Sequence, residues 1–119
     1  FFYNALGIRT REEALFDLAI DAFRAALGIE PEAYPILNNL GNAYFEKGRL
    51  EEAARVYRRV LGMKPDLAQT HFNLALVYER QGALELAAEG YRTALKFRPG
   101  WELPRLNLQR LRARGAIEK

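Results

Sequence analysis

Residues 31–65 read PEAYPILNNLGNAYFEKGRLEEAARVYRRVLGMKP. Prolines bound the stretch, and between them apolar residues recur at helical spacing on both sides of Gly48. This pattern predicts two antiparallel helices, about Tyr34–Glu46 and Leu50–Leu61. Gly48 can take the positive φ of a tight turn without a steric penalty. Small residues at Gly41 and Ala53 let the paired helices approach closely, and Tyr44 and Tyr57 fill the space beside them. Pro65 ends the second helix, because a proline disfavours helical geometry in the residue before it.

Working outward, the stretch recurs. Pro31, Pro65 and Pro99 stand 34 residues apart, and the same step links Ala19, Ala53 and Ala87, then Phe23, Tyr57 and Tyr91, then Leu27, Leu61 and Leu95, and Leu6, Leu40 and Leu74. A single helix pair cannot bury its own apolar stripe, so such repeats gain stability by stacking on their neighbours. A period of 34 with small and aromatic residues at fixed places resembles the tetratricopeptide repeat family along the whole chain. Tyr3, Leu6, Gly7, Ala19, Phe23, Ala26 and Pro31 match its pattern in a first repeat. Leu37, Leu40, Gly41, Tyr44, Gly48, Ala53, Tyr57 and Pro65 match in a second, and the third reads His71, Leu74, Ala75, Tyr78, Gly82, Ala87, Tyr91, Ala94 and Pro99 at the corresponding places. Thr10, Ala14, Val60 and Ala75 depart from it.

The fold implied is all-α: an α-solenoid of antiparallel helix pairs, a right-handed superhelix with a C-terminal capping helix. One domain covers 1–119, with repeats at about 1–33, 34–67 and 68–101 and the capping helix at about 102–114. Pro104 suits the first turn of that last helix. Leu103, Leu106, Leu108 and Leu111 are expected to cover the third repeat, while Arg105, Arg110 and Arg112 project into water. Asp66 and Gln69 form a candidate capping pair for the helix that follows Pro65. The acid pairs Glu12/Glu13 and Glu51/Glu52 suit the positive ends of helix dipoles. Phe1, Phe2 and Tyr3 begin inside an expected first helix, which suggests a piece of a longer array or a self-associating edge.

Composition narrows the function. The chain has 119 residues, 50% hydrophobic and 28% charged, enough apolar content for a core. No run of about 18 uncharged apolar residues marks a membrane span, and no signal-peptide pattern opens the chain. A soluble protein is expected, with the cytoplasm favoured. Cysteine and serine are both absent and His71 is the only histidine, so no nucleophilic triad and no His/Cys metal cluster can be assembled. The expectation is a protein that is not an enzyme and carries no cofactor. His71 itself is read as a packing residue. Residues 1–91 carry a balance of −3 and residues 92–114 one of +6, an arginine-rich end. Basic residues are not interleaved with aromatics on one surface, so nucleic acid is not the expected partner. Fourteen of the eighteen basic residues are arginine, a bias that suggests a bacterial source.

The family resemblance implies a concave wall lined by the first helix of each pair. Its inward positions are Pro35, Asn38, Asn39, Asn42, Phe45 and Glu46 in the second repeat, and Gln69, Phe72, Asn73, Leu76, Glu79 and Arg80 in the third. The last helix adds Leu103, Leu106, Asn107, Arg110, Ala113 and Arg114. Asn39, Asn73 and Asn107 share one register, and each carboxamide can both donate to and accept from a ligand peptide unit. This ladder is similar to the one on the inner wall of the tetratricopeptide arm of O-linked N-acetylglucosamine transferases. Asn38 and Asn42 extend the polar set, Phe45, Phe72 and Leu76 are candidate apolar pockets, Arg80 is a further groove position, and Arg110 and Arg114, four apart on the face of Asn107, are candidate cations for acidic ligand residues. The carboxylate clamp of chaperone-binding members is not expected. Its positions fall on Asn4, Ile8, Asn39, Gln69 and Asn73, or on Asn38, Asn42, Asn73, Leu103 and Asn107, with no cation in either set. The reading is a peptide-binding scaffold for a protein partner. The alternatives are a targeting arm of a larger enzyme such as a glycosyltransferase, or a module that self-associates through its uncovered N-terminal edge.

Overall fold

A computed structural model describes residues 16–26, 28 and 33–115. Among them lie six helices and no strand: α1 (residues 16–26), α2 (Tyr34–Lys47), α3 (Leu50–Met63), α4 (Ala68–Arg80), α5 (Leu84–Phe97) and α6 (Glu102–Ala113). Helix α2 packs on α3, α3 on α4, α4 on α5 and α5 on α6, so contacts run to successive neighbours as in a helical-repeat solenoid. A lighter contact joins α2 to α4, which are the first helices of successive pairs. The Phe1–Tyr3 edge, Asn4, Ile8, Glu12, Glu13, Leu27 and Pro31 lie outside the described residues.

The turn inside each pair is closed the same way twice. Gly48 has φ +84°, the Gly48 N–H donates to the Phe45 carbonyl at 3.0 Å, and the Arg49 N–H donates to the Tyr44 carbonyl at 2.8 Å. Thirty-four residues on, Gly82 has φ +83° and the same two bonds run from Gly82 to Glu79 and from Ala83 to Tyr78. These are left-handed helix C-caps, which satisfy the last carbonyls and let the next helix begin within two residues. The turn between pairs also repeats: Lys64 N–H donates to Val60 and Arg98 N–H to Ala94, each followed by a proline.

Both pairs achieve a close approach, but by different means. In α2, a Cβ added to Gly41 would stand 2.6 Å from the ring of Tyr57 on α3, so the glycine is what lets that tyrosine bury fully. The third repeat has Ala75 at the equivalent place. There the missing Cβ has moved across to α5: a Cβ on Gly90 would lie 2.8 Å from the Cβ of Ala75. The departure at Ala75 is thus compensated by its partner helix. Around these contacts Tyr57, Val60, Ala75, Val77, Ala87 and Tyr91 are 1% exposed or less.

Several expectations need correction. No side-chain cap forms at the start of α4, because Leu67 is the N-cap and Asp66 lies one residue too early. Asp66 sits 3.5 Å from Lys64, and Gln69 bonds Asn73 instead. On α6 only Pro104, Leu108 and Leu111 are buried; Leu103 and Leu106 are 51% and 46% exposed and do not cover the third repeat. His71 does pack, stacking on Phe97 with ring centroids 5.7 Å apart and with Nε2 at 2.9 Å from the Pro65 carbonyl.

The relocated glycine gives a test. Gly90→Ala should lower stability by about 1–3 kcal/mol through overpacking, despite alanine's better helix propensity. Combining it with Ala75→Gly should recover most of the loss, because one Cβ is again missing from the contact. Gly62→Ala, which meets open space, should be neutral or slightly stabilising. Urea denaturation of the four proteins measures this.

Candidate groove on the inner wall

The side chains that α2, α4 and α6 turn toward one another build a wall with two adjoining depressions of about 380 Å³ each. Asn42, Phe45, Glu46, Tyr57, Gln69, Asn73 and Leu76 line one; Phe45, Leu76, Glu79, Arg80, Asn107 and Arg110 line the other. Phe45 and Leu76 belong to both and form a shared apolar ridge. Each is partly buried, so it retains surface that a ligand could cover.

Bridges between successive first helices hold the wall together. Asn73 Nδ2 on α4 donates to Asn42 Oδ1 on α2 at 3.3 Å, and within α4 Gln69 Nε2 donates to Asn73 Oδ1 at 3.0 Å. The Asn73 carboxamide therefore keeps one N–H and one acceptor lone pair for another partner. The Arg80 guanidinium lies 4.8 Å over the Phe45 ring, a cation–π contact from α4 to α2. Between α6 and α4, Arg110 donates to both oxygens of Glu79, at 2.6 and 3.1 Å. Such a bidentate fork is the strongest geometry open to a guanidinium and a carboxylate.

Two core tyrosines brace this wall from behind. The Tyr57 hydroxyl donates to Asn42 Oδ1, and the Tyr91 hydroxyl donates to Glu79 Oε1 at 2.6 Å. Both rings are buried; the Tyr57 hydroxyl lies at one depression and the Tyr91 hydroxyl behind Glu79, so each tyrosine fixes the orientation of a wall residue. Burial pushes both phenols well above their ordinary pKa, with the charge of Glu46 adding to the effect at Tyr57 and the bond to Glu79 adding to it at Tyr91. The Arg110 fork holds the Glu79 carboxyl below its usual range; burial opposes the shift and the Tyr91 hydroxyl reinforces it.

Of the residues singled out in the sequence, Asn42, Phe45, Asn73, Leu76, Arg80, Asn107 and Arg110 come together here. Asn38 does not, because it turns aside and accepts a hydrogen bond from the fully buried Thr70 hydroxyl at 2.9 Å. Phe72 is a core residue, only 7% exposed, wedged 4.8 Å from the Trp101 ring and 5.7 Å from Tyr91. Arg110 is not free in water, since it pairs with Glu79. Asn39 and Arg114 are exposed and line neither depression. The three ladder asparagines are not bonded to one another: Asn73 turns to Asn42 and Gln69, and Asn107 lines the second depression. Tyr57 joins the lining although the sequence assigned it to packing. Its hydroxyl was the available signal, because a buried tyrosine needs a polar partner where a phenylalanine would not. Among the described residues no group of His, Cys, Asp or Glu could hold a metal ion, and no helix is long and apolar enough to cross a membrane.

With this geometry established, comparison with known proteins fixes the class. Two family models match, "TPR repeat" over residues 41–82 and "Tetratricopeptide repeat" over residues 68–100. Together they span just over half of the sequence, and the chain belongs to the tetratricopeptide repeat family. No curated protein matches it. Among solved structures it is similar to the first TPR of Spaghetti (RPAP3) bound to HSP90 peptide SRMEEVD, at 17% identity and a TM-score of 0.81 over 95% of this chain and 90% of that one. It is also similar to MamA MSR-1 C2, at 25% identity and a TM-score of 0.68 over 81% of this chain and 55% of that one.

The Glu79–Arg110 fork sets a pH-dependent increment of stability. At neutral pH Glu79→Gln should cost about 1 kcal/mol, the value of a charge-assisted pair discounted for its partial exposure. The folded carboxyl titrates below the unfolded one, so its contribution is complete above the unfolded value of about 4.3. It disappears as pH falls through the lower folded value. The gap between wild type and variant in urea denaturation should therefore be full at pH 7 and close in the acid range.

Proposed function

We propose that this chain is a non-enzymatic interaction scaffold that takes an extended peptide segment of a partner protein along its inner wall. One observation carries the reading. Side chains from three successive first helices leave an apolar ridge, Phe45 and Leu76, flanked on both sides by carboxamides, Asn42 and Asn73 on one and Asn107 on the other. An apolar ridge suits an anchoring ligand side chain, and carboxamides can pair with peptide units whatever the ligand sequence. The peptide-bound state of the Spaghetti (RPAP3) relative supports this use of the fold.

The ligand differs in kind from a clamped terminal carboxylate. At the clamp register over α2, α4 and α6 this chain carries Asn38, Asn42, Asn73, Leu103 and Asn107, without a cation. Recognition then depends on an internal stretch of the partner rather than on its end.

The test uses a partner protein recovered by affinity capture and then purified. Asn73→Ala combined with Asn107→Ala should weaken its binding about tenfold, equivalent to roughly 1.4 kcal/mol, while leaving the helical circular-dichroism signal unchanged. Phe45→Ala should weaken it at least as much, through loss of the ridge and of the stacking surface under Arg80. Unchanged affinity in both variants would overturn the groove reading.

A further inference from the structure

Beyond the ridge and the carboxamides, the wall carries an ordered row of charges. Glu46, Arg80 and Arg114 occupy the same place in three successive repeats, 34 residues apart, at the C-terminal ends of α2, α4 and α6. All three are exposed, and none takes part in an ion pair among the described residues. Glu46 borders the first depression beside Tyr57, and Arg80 borders the second, held over Phe45. Arg114 lies close enough to Glu79 to act on it electrostatically. The other two charges of the wall, Glu79 and Arg110, neutralise each other. What the wall offers an incoming ligand is therefore minus and plus at the two depressions and plus again at Arg114 beyond them, read from α2 to α6.

Spacing determines how a peptide can answer this row. The first helices are tied to one another through side chains, α2 to α4 by the Asn73–Asn42 bond and α4 to α6 by the Glu79–Arg110 fork, which sets their spacing on the order of 10 Å. A polyproline-II segment turns once every three residues and rises about 3.1 Å per residue, so residues i, i+3 and i+6 share one face at intervals of about 9 Å. A β-strand of the same reach would turn every second of these residues away, because its side chains alternate.

Resting on the groove reading above, we infer that the partner segment is an extended, polyproline-II-like peptide whose charge order is basic, acidic, acidic at every third residue. Its basic residue faces Glu46 and its two acidic residues face Arg80 and Arg114. The intervening residues place an apolar side chain on the Phe45–Leu76 ridge and peptide units against Asn73 and Asn107. Exposed pairs of this kind contribute little each, so their main effect is to fix the register of the peptide and to reject segments with another order.

The experiment selects binders from a displayed library of random 12-residue peptides against the purified chain and against Arg80→Glu. Wild type should enrich peptides with a basic residue followed, or preceded when the peptide runs the other way, by acidic residues three and six positions along. Arg80→Glu should enrich peptides whose middle charge has become basic. The best wild-type peptide, measured by fluorescence anisotropy, should bind Arg80→Glu about tenfold more weakly at low salt, with the difference shrinking as salt is added. Arg114→Glu, an independent reversal at an exposed site, should convert the terminal acidic position in the same way.

Selected peptides that lose affinity in Asn73→Ala and Phe45→Ala, yet show no charge order and no change with Arg80→Glu or Arg114→Glu, would overturn the charge row and leave the groove standing. Selected peptides that follow net charge alone, whatever their order, would overturn it equally. A library that yields no binder, or binders indifferent to Asn73→Ala and Phe45→Ala, would overturn both the groove and the row.

Discussion

The structure depends on one steric constraint: two helices of a pair can press together only where a Cβ is missing. In the second repeat Gly41 gives up its Cβ to the ring of Tyr57, and in the third Gly90 gives one up to Ala75. The close approach lets Tyr57 and Tyr91 bury in the core with their hydroxyls bonded to Asn42 and Glu79 of the wall. Interiors are packed too densely to absorb an extra methyl group without displacement. The small residue is therefore required of the contact, and either helix can supply it.

From that contact the groove follows. Each buried tyrosine reaches the inner wall as a fixed donor, Tyr57 to Asn42 and Tyr91 to Glu79, and the wall residues it holds are those that bridge neighbouring repeats. Asn42 continues to Asn73, and Glu79 to Arg110. Core packing and groove shape are thus joined through two hydroxyl groups. A phenylalanine at either place would fill the core as well and leave the wall without its brace.

The Glu79–Arg110 fork has a double consequence. It ties α6 to α4, adding a polar contact between helices whose sequence separation is nearly one repeat. It also neutralises two charges on the surface that a ligand meets, so that Glu46 and Arg80 are the remaining charges bordering the two depressions, with Arg114 beyond them. Charges near one another in a wall are not equivalent, because those already bonded to a neutralising partner present little field to a third group.

The sequence by itself determined the fold and most of its geometry. The 34-residue recurrence of prolines, small residues and aromatics set the pairing of α2 with α3 and of α4 with α5, and Gly48 and Gly82 marked the turns within those pairs, because backbone conformation at those places admits few residue types. It also placed Asn42, Phe45, Asn73, Leu76, Arg80 and Asn107 on one wall, since a repeated register maps to a repeated direction. Tertiary structure alone decided how adjacent side chains divide the available partners. Asn38 turned to Thr70, Phe72 sank between Tyr91 and Trp101, and Arg110 closed on Glu79. Residues at one repeat position share a direction but have different neighbours, and hydrogen bonds and ring contacts are settled by those neighbours over a few ångströms. Periodicity carries no information at that scale, so the shift of the missing Cβ from Gly41 to Gly90 became meaningful only when the two helices were seen in contact.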